Sequence, residues 1–316
     1  MADQMSPEVV FLGTSGYYYP NDWKGVVYPK NLKDSDMLEY YTRFFYSTEI
    51  NSTFYNIPNL QSTEAWARRP LIYSAKIPKL ITHDAKLDLS KAVDPFILFM
   101  HQIRPLYEQE KLLSLLLQLP PSFGKEEELH YDRMEKFAQY WQDYVQQHFI
   151  SKHIKPPYIV VEFRHKNWLK EESFALLRAY GLVYCAVVEP LLPPRLDITN
   201  EDLFYIRFHG YGQKPWFNYN FSEEQLNEWA EKLNPIVQSA QATINQPKKR
   251  KVAIYFNNHF SGYAVKNALY LAQQMHLPHK HDLSCLQKPL YTLHDTSCSF
   301  QDESKAKLQK SLDDYF

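Results

Sequence analysis

Tyr158-Ile159-Val160-Val161-Glu162-Phe163-Arg164-His165 decides the fold. The run begins apolar on consecutive positions, as a strand buried on both faces does, and ends in an acid, a base and an imidazole. Side chains two apart point the same way along a strand, so Glu162 and Arg164 share a face. A buried strand that ends in charge needs a reason, because unpaired charge at a partly buried position costs several kcal/mol.

Outward from this stretch the same pattern repeats. Val9–Gly13, Thr48–Tyr55, Leu71–Ile77, Leu112–Leu119, Val183–Val188, Leu203–Phe208 and Val252–Phe256 read as further strands. Helical patterns fall near 34–46, 61–68, 90–109, 132–149, 171–180, 222–240 and 262–275, the sixth opened by the capping box Ser222-Glu223-Glu224-Gln225. Alternating strands and helices of this number predict an α/β fold, a TIM-barrel-like (β/α) barrel. The connection at about 190–202 is short and proline-rich, so the helix between strands six and seven is expected to be missing or degenerate.

The strand ends carry the chemistry. They offer Ser15 and Tyr17, Glu49 and Asn51, Lys76, Gln118, Glu162, Arg164 and His165, Glu189, Arg207 and His209, and Asn257, Asn258 and His259. In a barrel this is the catalytic face. Mixed charge there implies mutual pairing, a ligand, or both; the competing reading is a salt-bridge network that plugs the mouth. Arg164 and Arg207 can fork onto phosphate oxygens, with Lys76 as a point charge. Glu49 or Glu162 can serve as base, and His209 or His259 as acid or base. Tyr55, Trp168 and Trp216 can stack an unpaired base. No resident cofactor is expected, although Glu162, His209 and His259 would suit a single divalent ion.

The motifs Gly13-Thr14-Ser15-Gly16-Tyr17, Glu49-Ile50-Asn51-Ser52-Thr53-Phe54-Tyr55, Lys76 with Ile81-Thr82-His83, Gln118-Leu119-Pro120-Pro121, Val161-Glu162-Phe163-Arg164-His165 with Trp168, Arg207-Phe208-His209-Gly210 and Tyr255-Phe256-Asn257-Asn258-His259 occur in this order. Together they resemble the YecE-like family, domain-of-unknown-function family 72, over about residues 9–275. The resemblance implies a TIM-barrel-like fold with a polar pocket at the strand C-termini. It implies no agreed reaction.

Outside that region the last residues, Gln309-Lys310-Ser311-Leu312-Asp313-Asp314-Tyr315-Phe316, resemble the peptide that ties replication and repair proteins to the sliding clamp PCNA. One helical turn places Leu312, Tyr315 and Phe316 on one side, with Gln309 at the rim. The expected organisation is a barrel domain over 1–277, a linker over 278–308 and a clamp-binding peptide over 309–316, in an archaeal or eukaryotic host.

Composition narrows the classes. The 316 residues are 45% hydrophobic, with 24 tyrosines and a net charge of −1, so no global positive field recruits nucleic acid. Cys185, Cys285 and Cys298 form no paired motif, which fits a reducing compartment. No signal peptide or membrane-length apolar run is visible, so a cytoplasmic protein is expected, nuclear in a eukaryote. Lys248-Lys249-Arg250-Lys251 precedes the eighth strand and so belongs at the opposite end of the barrel. His276, His279, His281 and Asp282 match no zinc spacing. Two function classes compete. The first is a clamp-tethered enzyme of DNA metabolism, a nuclease acting on single-stranded or damaged DNA. The second is a glycoside or small-molecule hydrolase using Glu49 and Glu162; a non-catalytic nucleotide- or phosphate-binding module stands behind both.

Overall fold

In the computed structural model, residues 9–124, 128–212, 215, 217–242 and 250–280 are described. In chain order the elements are β1 (Val10–Thr14), α1 (Pro20–Trp23), α2 (Met37–Tyr41), β2 (Ser47–Ile50), α3 (Ser52–Tyr55), α4 (Leu60–Ala67), β3 (Ile72–Lys76), α5 (Leu89–Gln102), α6 (Arg104–Glu108), β4 (Leu112–Gln118), α7 (Glu128–His148), β5 (Tyr158–Glu162), α8 (Glu171–Ala179), β6 (Val183–Val188), β7 (Leu203–Phe208), α9 (Glu223–Ala242), β8 (Lys251–Phe256) and α10 (Tyr263–Met275). The strands form one parallel sheet in the order β1-β8-β7-β6-β5-β4-β3-β2. This is the TIM-barrel-like arrangement that the strand–helix alternation predicts.

The barrel closes differently at its last seam. Between β1 and β2 the backbone makes only the isolated bridge Ser15–Glu49. Side chains complete the join: the Thr14 amide donates to the Tyr41 hydroxyl (2.9 Å), which donates to the Ser47 carbonyl (3.1 Å), and Thr48 Oγ1 donates to the Thr14 carbonyl (3.1 Å). Gly13 permits this approach, since a Cβ there would lie 2.1 Å from the Ser47 oxygen.

Inside, the period-two alternation builds tiers. Ser47, Ser74, Ser114 and Tyr255 are joined by hydrogen bonds of 2.5, 2.8 and 3.3 Å. Two residues further along stand Glu49, Lys76, Leu116 and Asn257, so the next tier is polar at three of four positions and faces the C-terminal mouth.

Several boundaries depart from the sequence expectation. β2 stops at Ile50, and Ser52–Tyr55 turns into α3 rather than continuing the strand. The pattern near 34–46 contracts to α2 after a 3-10 turn. The helix expected over 90–109 divides at Ile103, because Pro105 has no amide to continue the ladder. No helix forms between Val188 and Leu203, as the proline-rich connection implied. The capping box at Ser222 is reciprocal: Ser222 N donates to Gln225 Oε1 (3.0 Å) and Gln225 N to Ser222 Oγ (3.3 Å). No helix among the described residues is long and apolar enough to cross a membrane.

Candidate active site at the barrel mouth

β2, β5 and β7 carry the centre of the mouth. Arg207 sits between two carboxylates, its Nη1 2.5 Å from Glu162 Oε2 and its Nη2 2.7 Å from Glu49 Oε1. The second Glu49 oxygen accepts from the Tyr205 hydroxyl at 2.6 Å. All three charged side chains are essentially inaccessible. Burial works against the Arg207 charge, but Glu162 and Glu49 more than restore it. Burial likewise disfavours the Glu162 anion; the Arg207 guanidinium, His209 and Arg164 outweigh it and hold the carboxyl well below its ordinary range.

This arrangement corrects two expectations. Arg207 does not offer a free fork to a phosphate, because both of its terminal nitrogens are taken by carboxylates. Glu49 and Glu162 do not flank an open bond as a hydrolytic pair, because each grips one arm of the same buried guanidinium.

A second tier lies above. Arg164 Nη1 reaches Glu162 Oε1 at 3.0 Å and Glu189 Oε2 at 2.8 Å, the latter out of line for a hydrogen bond. Gln118 Nε2 donates to Glu162 Oε1. Burial raises the Glu189 pKa to about 7, against the pull of Arg164. Burial lowers that of His209 to about 4, against Glu162, so His209 is neutral near pH 7. Asn257 Nδ2 lies 2.9 Å from His209 Nδ1, and His209 Nε2 lies 3.3 Å from Glu162 Oε1. Nε2 also faces two donors, Arg164 Nη1 at 3.3 Å and Arg207 Nη1 at 3.4 Å, so the imidazole is held from both ring nitrogens. Asn51 ties this tier to β1 by donating to the Ser15 carbonyl at 3.1 Å.

Above these groups opens a cavity of about 690 Å³. Lys76, Gln118, Arg164, Arg207, His209, Asn51 and Asn257 reach its floor, and Tyr17, Tyr18, Tyr19, Phe54, Tyr55, Phe217 and His259 form its walls. Tyr55 and Tyr18 are 68% and 52% exposed, so their faces are open to a ligand. Lys76 Nζ rests 3.9 Å over the Phe54 ring. Burial, then the Arg207 charge, lowers the Lys76 pKa to about 7.

Other expected site residues fall elsewhere. Trp168 cannot stack a substrate base: it is fully buried between Phe163 and Phe123 and donates its indole proton to the Phe123 carbonyl (2.6 Å). His165 turns outward, accepts from the Asn167 amide (3.3 Å) and lies against Gly124. Asn258 is a structural clamp, donating to the Tyr219 carbonyl and to Asn267. Ser15 is buried at the β1–β2 seam, 3.4 Å from Arg207. His259 is stacked between Tyr19 and Phe217, beside Asp22, and so does not join Glu162 and His209 around an ion. Among the described residues no cluster of three His, Cys, Asp or Glu side chains is placed to hold a metal. Trp216 and the peptide Gln309–Phe316 lie outside the described residues.

Tyr18, Tyr19, Phe54 and Phe217 are the wall residues that sequence reasoning missed. A signal existed for the first two, since Tyr17-Tyr18-Tyr19 follows a strand end. Phe54 was hidden by reading 48–55 as one strand.

Comparison with known proteins agrees with this fold. Residues 11–290 match the family model described as protein of unknown function DUF72. The UPF0759 protein YunF of Bacillus subtilis (strain 168) is 22% identical over 288 residues, covering 82% of this chain and 92% of the relative. The crystal structure of a DUF72 family protein from Thermotoga maritima MSB8 is 28% identical, covers 84% of this chain and 99% of its own, and superposes with a TM-score of 0.65. One from Enterococcus faecalis V583 is 19% identical, covers 86% of this chain and 97% of its own, and gives 0.68.

Proposed function

The chain belongs to the DUF72 family, and from that premise and the shape of the mouth we propose that it is an enzyme of DNA metabolism acting at an unpaired or damaged position. The observation that carries this reading is the joining of two features in one cavity. Arg164, with the protonated fraction of Lys76, gives the floor cationic charge that suits a phosphate, and Tyr55 and Tyr18 offer exposed rings at the rim that suit an unstacked base. Arg164 is also paired, with Glu162 and Glu189 through Nη1, but its side chain keeps 12% exposure against 1% for Arg207, so it takes the role of phosphate contact. The polar amides of Asn51, Gln118 and Asn257 complete the hydrogen bonding on the floor. Binding a short 5′-phosphorylated single-stranded oligonucleotide tests the proposal by calorimetry. The expected result is a Kd that rises with salt and rises at least tenfold in Tyr55→Ala and in Arg164→Ala. Binding that is indifferent to salt and to both variants, or selective binding of a neutral sugar, would turn the assignment to the small-molecule hydrolase class. A companion screen of cleavage on single-stranded, nicked and flapped DNA, with and without EDTA, defines the reaction.

The second part of the proposal is the tether. The C-terminal Gln309, Leu312, Tyr315 and Phe316 carry the spacing of a sliding-clamp peptide. Tethering raises local substrate concentration, which suits a chain with a net charge of −1. Tyr315→Ala with Phe316→Ala is expected to abolish association with PCNA and to leave turnover of short oligonucleotides unchanged. Association that survives both changes removes the tether from the proposal.

A further inference from the structure

Lys76 differs from the other charges of the mouth. Glu49, Glu162, Arg164 and Arg207 are all in ion pairs with one another. Lys76 forms no ion pair with any carboxylate among the described residues, and its amine instead lies 3.9 Å over the ring of Phe54. The interior alternation sets this position: Ser74, two residues earlier, is bonded to Ser114 within the barrel, so Lys76 projects into the mouth and lines the cavity. Burial is the main force against its proton; of the charged groups that face it, Arg207 and Arg164 repel the proton, and Glu162 and Glu49 oppose them without restoring the ordinary value. His83 is a further neighbour, with its ring edge-on to Phe54. An amine desolvated beside two guanidinium groups, with no acid of its own, gives up its proton more readily than an ordinary lysine. A neutral lysine is a nucleophile.

We infer that Lys76 forms an imine with the aldehyde carbon of a sugar phosphate, the group exposed where a base has been lost from unpaired DNA. This rests on the proposed function for its choice of substrate and goes beyond it in naming the reacting atom. The Nζ lone pair adds to the carbonyl carbon, and the C=O π pair moves to oxygen to give a carbinolamine. Both amine protons leave with that oxygen as water, so the C=N bond replaces the C=O bond with no oxidant or reductant. On protonation the imine carries its positive charge where the ammonium lay, over Phe54, and keeps that cation–π contact. The lowering of the Lys76 pKa to about 7 leaves about half the amine free at neutral pH. An ordinary lysine at that pH has roughly a thousandfold less free amine.

Reductive trapping tests the inference on the full chain. The protein is incubated separately with 2-deoxyribose 5-phosphate, with a single-stranded oligonucleotide bearing one abasic site and with the same oligonucleotide intact. Each sample contains cyanoborohydride, which delivers hydride to the imine carbon and fixes it as a secondary amine. Peptide mass mapping is expected to find one adduct, at Lys76, with the first two probes and none with the third. The trapping rate should be half-maximal near pH 7, and Lys76→Arg should lose the adduct while melting as a folded protein. The wild-type map stands even if that variant fails to fold. Adduct with the sugar phosphate but not with the abasic oligonucleotide upholds the nucleophile and overturns the nucleic-acid reading. Binding of the oligonucleotide without a Lys76 adduct, or labelling spread evenly over surface lysines, overturns the inference and leaves the nucleic-acid reading standing.

Discussion

Arg207→Met is expected to lower stability by about 3–5 kcal/mol, because it leaves two buried carboxylates without their common cation. In the native barrel Arg207 is 1% exposed and Glu49 and Glu162 are 0% exposed, so water cannot replace the lost partner. For a chain of this size the loss corresponds to a fall in Tm on the order of 10 °C. The mechanism has its own control. Combining Arg207→Met with Glu49→Gln and Glu162→Gln removes the orphaned charges together and is expected to recover most of the loss. Arg164 then still has Glu189 at 2.8 Å. Thermal melts of the single and triple variants decide the matter; a single variant that melts with the wild type would mean that the centre is hydrated rather than sealed. The pH dependence follows from the same geometry. Glu162 titrates lower in the folded chain than in the unfolded one, so its contribution is complete above the ordinary carboxylate range and is lost as pH falls through the depressed folded value. His209, held neutral down to about pH 4, adds a loss that begins as pH falls below about 6.5, where the unfolded histidine takes up its proton. His83, also lowered to about 4, adds to this loss, and Glu189, raised to about 7, opposes it, so His209→Gln is expected to lose less stability than wild type between about pH 6.5 and 4.

Lys76→Met is expected to make the protein more stable at neutral pH, the opposite sign from Arg207→Met. The folded pKa of Lys76 is about 7, against an ordinary lysine value of 10.5. Between those values the unfolded chain binds the proton and the folded chain does not, so the Lys76 contribution to stability rises with pH across that window. Below pH 7 both states are protonated, and the folded state carries the full cost of an ammonium set beside Arg164 and Arg207. The methionine variant removes that cost. Because the amine keeps contact with solvent in the cavity, the gain is on the order of 1–2 kcal/mol. The difference between variant and wild type should be largest near pH 6.5 and shrink towards pH 9, measured as paired denaturant midpoints. A difference that stays constant across that range would assign the effect to packing against Phe54 rather than to charge. A residue that destabilises the resting fold in this way fits selection for chemistry rather than for stability.

The amino-acid sequence by itself determined the architecture. Eight apolar runs with strand lengths, separated by helical periodicity and ended by polar groups, have one economical solution in a parallel barrel. Even the helix missing between β6 and β7 was legible, since Pro190, Pro193 and Pro194 leave too little uninterrupted chain to form one. The list of strand-end residues was legible for the same reason, because period-two alternation carries a side chain from core to mouth without any knowledge of its neighbours. Alternation is local, however, and does not say who pairs with whom. Arg207 lies 45 residues from Glu162 and 158 from Glu49 in the chain, and the three meet only because β2, β5 and β7 close around one axis. That closure turned Arg207 from a candidate phosphate fork into the buried cation between two acids. It left Lys76 as the cation of this tier in no ion pair with an acid among the described residues. It also folded Trp168 into an aromatic stack and sandwiched His259 between Tyr19 and Phe217, which no spacing in the chain foretells. Residue type and periodicity are properties of a strand, whereas desolvation and charge pairing are properties of the space between strands, and only the tertiary structure defines that space.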